Sequence, residues 1–578
     1  MDLVSPRCSL RLLFLVSAHG GLSQAAQVAL TDLGHDVTVA VVASPESMVS
    51  AVRDHKPDLI VCPMLTKMIP EEVWSQHLCL VLHPGPEGDR GPSAIDWAIE
   101  LGCPEGGVTV LEANGEFDAG TVWASRTFTR RSVTKSSLYR HEVRYAGIDA
   151  LVEAVTRVAA GAGAPASATR SATGQERPLM RQDVRTIDWR ADSTDVVLRK
   201  IRAGDGQPGV LDSIGGTQFH LFGAHPEATL RGNPGEILAQ RHGAVCRATV
   251  DGAVWISHLK QRNTQERTYI KLPAVTALVR ACVPVDVPEL PVRIDLRFDE
   301  PTADTFREIV YHEANGVGYL YFDFYNGAMS TEQCRRLREA YRYAQSCRTT
   351  RVIALMGGRD FFSTGIHLNV IEVAADPALE SWRNLHAIND VVRDVVTTNT
   401  HYVVAALRGD VAAGGVAFAL AADRVVARDG IVLNPYYQHM GGLYGSEYWT
   451  YLLPRRLGSP MAAELTTAPF TPISTRRALQ IGMLDATFGP TAEEFQGGVV
   501  AEAEHIAAAD GLADWLELKR RRRARDERRK PLEHYRREEL ARSHECFFGP
   551  NRHYHQARSR FTHKRPLISF AERFVVQT

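Results

Sequence analysis

Four short, apolar, β-rich runs, at residues 11–18, 36–42, 58–63 and 79–83, alternate with helical patterns such as SMVSAVRDHKP and IPEEVWSQH. That alternation argues for an open parallel sheet with helices on both faces. Such a sheet binds ligands at the carboxyl ends of its strands, where connecting loops converge. The fourth run, LCLVLH, ends on His83 and passes directly into HPGPEGDRGPSAIDWAI. Rigid prolines and permissive glycines there hold backbone groups close to whatever the ring faces.

A chain of 578 residues is too long for one ordinary core, so two to four domains are expected. With 44% hydrophobic and 23% charged residues and a net charge of −1, nothing pushes the whole chain toward nucleic acid or anionic lipid. Nine cysteines stand singly, without CxxC or a His cluster at zinc spacing. The expectation is therefore reduced thiols in a cytoplasm and no metal site. The start, MDLVSPRCSLRLLFLVSAHGG, has the basic flank and apolar stretch of an export signal. Arg11 interrupts it, and LSQAAQVALTDLGHDVTVAVV continues as a helix and a second strand, so it reads as strand–helix–strand. No run approaches the roughly 18 apolar residues of a membrane span.

The stretch GAGAPASATRSATGQERP reads as a linker and closes a first domain at 1–178. Residues 179–285 carry short strand-like pieces between frequent turns, as a small β-barrel (OB-like) module would. A second α/β unit follows over 286–510, and 511–578 form a charged helical tail. Its KRRRRAR run has Asp and Glu just after it, which favours a charged surface helix over a nucleic-acid site.

Asp118, in FDAG, lies in a turn between apolar segments. A His and an Asp on two loops of one sheet edge can share proton transfer, and the same pair is also common as plain structure. The wording around them resembles the folate-dependent formyltransferases, in which a His-Pro strand end, an Arg-Gly loop and an Asp-x-Gly segment form the site for 10-formyltetrahydrofolate. KPDLIVCPMLTKMIP looks like that family's pterin-side loop, and RTIDWRADSTDVVLRKIRAGDGQPG like the start of its C-terminal barrel. The resemblance implies that His83 polarises the formyl group and Asp118 handles the acceptor's proton. The family's catalytic Asn, two residues before the His, is replaced here by Val81.

Two Gly-containing turns, in LMGGRDFFSTGIHLNVIE and LRGDVAAGGVAFALAAD, each lead into a helix. Such turns aim backbone N–H groups at one point, as an oxyanion hole requires, and they also suit close helix–strand packing. Together they resemble the crotonase (enoyl-CoA hydratase/isomerase) family. That resemblance places the oxyanion donors at Ile366 and Gly414 and implies a CoA thioester. Where hydratases carry two catalytic glutamates the chain has Ala417 and Tyr436, so alkene hydration is not expected. Glu447, in LYGSEYWTYLLPRR, supplies a carboxylate farther on.

The fused order resembles the hydrogenase-maturation HypX/HoxX family along nearly the whole chain, in runs such as DAGTVWASRTF, KSSLYRHEV, NGAMSTEQCRRL and GIHLNVIE. The implied fold class is α/β multidomain: a Rossmann-like formyltransferase domain, a small β-barrel module, and a crotonase-fold domain with a helical tail. The implied activity moves formyl from 10-formyltetrahydrofolate to CoA and then breaks formyl-CoA into carbon monoxide and CoA, for the [NiFe]-hydrogenase large subunit or its maturation machinery. Tyr436 and Glu447 would share the second step as acid and base, in either assignment. Gln24, Arg140, Arg542 and Arg558 would contact CoA. Two alternatives stay open: an uncoupled formyltransferase fused to an acyl-CoA hydrolase or isomerase, and a non-catalytic folate- or CoA-binding scaffold.

Overall fold

The computed structural model describes residues 9–165, 174–292, 304–436, 440–467 and 471–565. Residues 166–173 of the expected linker, 293–303 at the entry to the second α/β unit, 437–439 after Tyr436, and the end of the tail lie outside them. The chain forms two compact units, 1–259 with 273–289, and 260–272 with 290–578. The formyltransferase-like and β-rich portions share the first unit; the crotonase-like portion and the tail share the second.

The first unit opens with β1 (Arg11–Val16), β2 (Asp36–Val41), β3 (Leu59–Cys62), β4 (Cys79–His83), β5 (Glu105–Glu112) and β6 (Val122–Thr129), in the sheet order β2-β1-β3-β4-β5-β6. The pairings from β2 to β4 are parallel. The four expected strands are thus parallel, and β5 and β6 extend the sheet through antiparallel pairings. Their connection is the short turn 113–121, too short for a crossover helix, so it makes a hairpin. β1 and β3 are buried along most of their lengths, as strands covered on both faces must be. Five further strands, β7 (Val210–Ile214), β8 (Thr217–Glu227), β9 (Ile237–Arg241), β10 (Ala244–Ala248) and β11 (Ala253–Gln261), follow in the sheet order β7-β8-β11-β10-β9.

The second unit has a six-stranded sheet, Ile309–Ala314, Val317–Phe322, Val352–Gly357, Tyr402–Leu407, Arg424–Arg428 and Ala486–Phe488, adjacent in that order. A smaller sheet joins Phe361–Ser363, Asp410–Ala412, Val432–Asn434 and Ile473–Ser474. The strands Phe361–Ser363 and Asp410–Ala412 are parallel neighbours, which sets their following turns side by side. The helix Gly414–Leu420 is apolar on every side and buried throughout, so it can only lie inside the core. Helix Pro377–Thr397 starts at Asp376, whose carboxylate accepts the amides of Ala378 and Leu379, with Pro377 in the first turn.

The tail divides in two. Helix Leu512–Arg529, which carries the arginine run, buries Leu512 alone and pairs its own charges, as in Arg520 and Arg521 with Glu517. Helix Leu532–Phe548 instead buries Leu540 and Phe547 in the core, together with the polar Arg536, Glu539 and Ser543. Among the described residues, no helix is long and apolar enough to cross a membrane.

Candidate active sites

β4 delivers His83 into the first unit with its ring 4% exposed. Nε2 lies 2.9 Å from Oδ1 of Asp89, in the loop that follows. Nδ1 lies 3.3 Å from Oδ1 of Asp118, in the turn between β5 and β6. Burial by itself lowers an imidazole pKa; here the hydrogen bonds and charges of Asp118 and Asp89 outweigh it and hold His83 at about 9. The ring is therefore an imidazolium at neutral pH, donating one N–H to each carboxylate. Burial pushes Asp118 up, but the bond and charge of His83 bring it below the usual carboxylate range, helped by the Gly91 amide on its Oδ2 at 3.2 Å. Asp118 adopts a left-handed backbone (φ 54°), which the two contacts hold in place.

The loop after His83 needs its glycine for close approach. A Cβ on Gly85 would sit 2.5 Å from His83 Nε2 and 2.6 Å from Asp89 Oδ1. The loop is also paired. Arg90 donates its amide to Gln175 at 3.3 Å, and Arg177 donates to the Arg90 carbonyl at 3.0 Å. Trp97 Nε1 donates to the Pro178 carbonyl at 2.9 Å. The end of the expected linker thus pairs with the His83 loop through an isolated β-bridge between Arg90 and Glu176. Val81 sits within β4 opposite Leu111 and Cys62 and brings no polar atom to the site.

In the second unit, strand Phe361–Ser363 leads into Gly365 and Ile366, and strand Asp410–Ala412 into Ala413 and Gly414. The two turns touch: a Cβ on Gly365 would lie 3.4 Å from the Gly414 nitrogen. Ser363, fully buried, accepts the Gly365 amide at 3.1 Å, and the Met329 amide donates to the Gly365 carbonyl at 2.9 Å. Ala413 has φ 48°, ψ −128°, a strained conformation for a residue with a Cβ.

Glu447 reaches the same point. A Cβ on Gly414 would lie 2.5 Å from its Oε1 and 3.0 Å from its Oε2, so the carboxylate packs against the first residue of the Gly414–Leu420 helix. Glu447 is 2% exposed and left-handed (φ 63°), as is Tyr448 (φ 58°). Its Oε2 accepts the Ser446 amide at 3.0 Å, and its own amide donates to Asn389 Oδ1 at 2.7 Å. Tyr436 leaves strand Val432–Asn434, whose Asn434 carbonyl accepts the Ala413 amide at 2.8 Å. The backbone thus sets Tyr436 two residues beyond that contact with the Ala413–Gly414 turn; the side chain is half-buried, and burial pushes its phenol up. Ala417 is buried inside the helix and brings no polar side-chain atom to this turn.

Gln24 lies in the first turn of helix Gly21–Asp32, its amide donating to the His19 carbonyl at 3.0 Å. Arg140 ends helix Lys135–Arg140, which packs against that helix. Arg542 is exposed, its guanidinium 4.7 Å from the Tyr444 ring centroid. Arg558 is buried, with Nε bonded to Glu372 Oε2 at 2.7 Å. Three polar groups at these sites escaped the sequence reading. Asp89 was in plain view, six residues past His83. Asn389 and Glu539 touch the Glu447 turn from 58 and 91 residues away, at Glu447 and Tyr448 respectively, where no local pattern links them.

The chain matches known family models in both units. The formyl transferase family model covers residues 19–155, its C-terminal-domain model 179–269, and the enoyl-CoA hydratase/isomerase model 313–566. Over 558 residues the chain is 44% identical to the hydrogenase maturation factor HoxX of Bradyrhizobium diazoefficiens, covering 96% of this chain and 95% of the relative. The chain belongs to the HypX/HoxX family. The crystal structure of Aquifex aeolicus HypX in complex with tetrahydrofolic acid aligns with TM-score 0.92 at 42% identity over 97% of each chain. A methionyl-tRNA formyltransferase from Burkholderia multivorans is 29% identical over 212 residues, 35% of this chain and 63% of its own. The HypX/HoxX likeness therefore spans both units. The hydratase/isomerase match runs on to residue 566, through the helix that carries Glu539.

Proposed function

We propose that this HypX/HoxX-family chain makes carbon monoxide for [NiFe]-hydrogenase maturation, moving formyl from 10-formyltetrahydrofolate to CoA and then splitting formyl-CoA. The observation that supports the reading is the buried Glu447 carboxylate packed against Gly414, where it can serve as the acid/base group of the second step.

In the first step the His83 imidazolium supports the formyl oxygen, one of its two carboxylates releasing an N–H to do so. Gly85 leaves no room for a Cβ beside the ring, so the loop closes directly on His83 and Asp89. Asp118 takes the thiol proton as sulfur attacks the formyl carbon; the C–N10 bond then breaks, the proton passes on to N10, and tetrahydrofolate leaves. Losing an oxyanion donor such as the family's Asn typically costs on the order of 2.7–4 kcal/mol. A thiol acceptor with an ordinary pKa near 8.5 offsets part of that, because it ionises more readily than an amine. In the second step the amides of Ile366 and Gly414 hold the thioester oxygen. Glu447 takes the formyl hydrogen, the C–S bond breaks to leave carbon monoxide, and Tyr436 protonates the departing thiolate, or the two exchange roles. Gln24 and Arg140 hold CoA for the first step and Arg542 for the second. Arg558 acts through Glu372.

Carbon monoxide release, read by haemoglobin absorbance on protein freed of co-purified CoA, tests this reading. It should require both 10-formyltetrahydrofolate and CoA and vanish in Glu447→Gln. Formate, or formyl-CoA that persists without carbon monoxide, would instead assign the second unit to the hydrolase reading.

A further inference from the structure

Glu539 lies on helix Leu532–Phe548, fully buried, and its contacts all lead to one place. Its Oε2 accepts the Tyr448 amide at 2.9 Å and lies 3.4 Å from Ser446 Oγ. Its Oε1 accepts the Thr450 amide at 2.9 Å and the Thr450 hydroxyl as well. Asn389, fully buried on helix Pro377–Thr397, holds the same turn through the Glu447 amide, at 2.7 Å, and through Ser446 Oγ. Both members of the left-handed pair Glu447–Tyr448 thus have their amides pinned by side chains from other helices.

These contacts have a local cause. Helix Trp449–Leu457 begins at Tyr448, which offers no side-chain cap. The first amides of a helix need acceptors, and the positive end of its dipole favours a negative charge. Glu539 supplies the acceptors; burial raises its carboxyl to about 7, and these hydrogen bonds oppose the rise. The hydrogen-bonding groups it meets in this turn are neutral donors, two amides and two hydroxyls, so the carboxylate is arranged as an acceptor for residues 446–450 and not as half of an ion pair.

We propose that Glu539 is a positioning residue for Glu447, fixing the strained turn that holds the Glu447 carboxylate against Gly414. The inference rests on the assignment of Glu447 as the acid/base group. It gives the charged tail a task, since one of its helices braces the site where formyl-CoA is split. Reactive geometry is sensitive on the scale of about 1 Å, so a turn freed to relax loses rate while binding survives.

The test compares Glu539→Ala, Glu539→Gln and Glu447→Gln with the wild type in carbon monoxide release from supplied formyl-CoA, reading kcat and KM separately. Folded fraction and formyl transfer to CoA are measured on the same samples. Glu539→Ala should lower kcat per folded molecule about 10²-fold, leave KM within about twofold, and leave formyl transfer unchanged. Glu539→Gln should fall between, because its oxygen still accepts one amide while its NH2 faces the other. A kcat per folded molecule within twofold of wild type in Glu539→Ala, or in Glu539→Gln should the alanine variant not fold, overturns the proposal. If that happens while Glu447→Gln abolishes release, only the positioning role falls. If Glu447→Gln releases carbon monoxide normally, the acid/base assignment falls and takes this inference with it.

Discussion

His83 and Glu447 are each almost wholly buried and each held by two polar side chains, yet by opposite means. His83 sits between the carboxylates of Asp89 and Asp118, one from the next loop and one from the turn after the following strand. Glu447 sits in a turn gripped through its backbone, by Asn389 and, at the next residue, by Glu539, from two distant helices. The first arrangement is electrostatic: opposite charges settle the ring's protonation. The second is geometric: hydrogen bonds to backbone amides settle where a carboxylate points. Changing charge should therefore damage the first site, and changing shape or tether the second.

The largest effects separate the two. His83→Ala should lower formyl transfer to CoA by about 10²- to 10⁴-fold and leave breakdown of supplied formyl-CoA near wild type. Glu447→Gln should do the reverse, with formyl-CoA accumulating from 10-formyltetrahydrofolate. Stopped assays on both substrates decide it. A variant that loses both half-reactions while remaining folded would show that the sites are not independent.

The charge-based site carries a pH signature. The folded pKa of His83, about 9, lies above the ordinary 6.5, so folding favours the protonated ring. Its contribution is fully present below about pH 6.5 and is lost as pH rises through about 9. A shift of that size corresponds to about 3 kcal/mol. Denaturant unfolding of the first unit should show wild type well ahead of His83→Gln at pH 6, the gap closing by pH 10. A gap that stays constant with pH would mean that the two carboxylates do not charge the ring.

How much of this was legible follows the same division. The His83 loop and the FDAG turn lie close in the chain and carry unusual residues at telling places, so both candidates and their shared sheet edge were readable. The two glycine turns of the second unit were readable for the same reason, as glycines between a strand and a helix. The antiparallel β5 and β6 were not, because the direction of a strand depends on its connection and not on its own apolar pattern. The pairing of residues 174–178 with the His83 loop was hidden, since the linker's Gly/Ala/Ser/Pro-rich composition describes local freedom and says nothing of a distant partner. Asn389 and Glu539 were invisible for the deepest reason: each is an ordinary polar residue on a helix until tertiary packing closes water off around it.

Two glycines extend the comparison with smaller effects. Gly85 faces His83 as Gly414 faces Glu447, and an added Cβ would come within 2.5 Å of a reactive atom in each case. Overpacking of this kind costs on the order of 1–3 kcal/mol. Gly85→Ala should slow formyl transfer roughly tenfold, and Gly414→Ala should slow carbon monoxide release by a similar factor, each sparing the other step. Equal loss of both steps in either variant would point to general destabilisation, which a melting curve would reveal.

The smallest effect concerns CoA, where two arginines of the tail differ in surroundings. Arg542 is exposed and stacked on Tyr444, free to offer its charge to a phosphate, while Arg558 is buried against Glu372. An exposed charge pair contributes little, so Arg542→Ala should raise the KM for CoA only about two- to fivefold, with kcat unchanged. Raising salt should shrink the difference, because the interaction is screened. Arg558→Ala removes the partner of a buried carboxylate and should instead lower the melting temperature, with KM for CoA unmoved in the molecules that remain folded. A KM rise in Arg558→Ala matching that of Arg542→Ala, at unchanged stability, would move the phosphate contact inward and make the ion pair with Glu372 part of the CoA site.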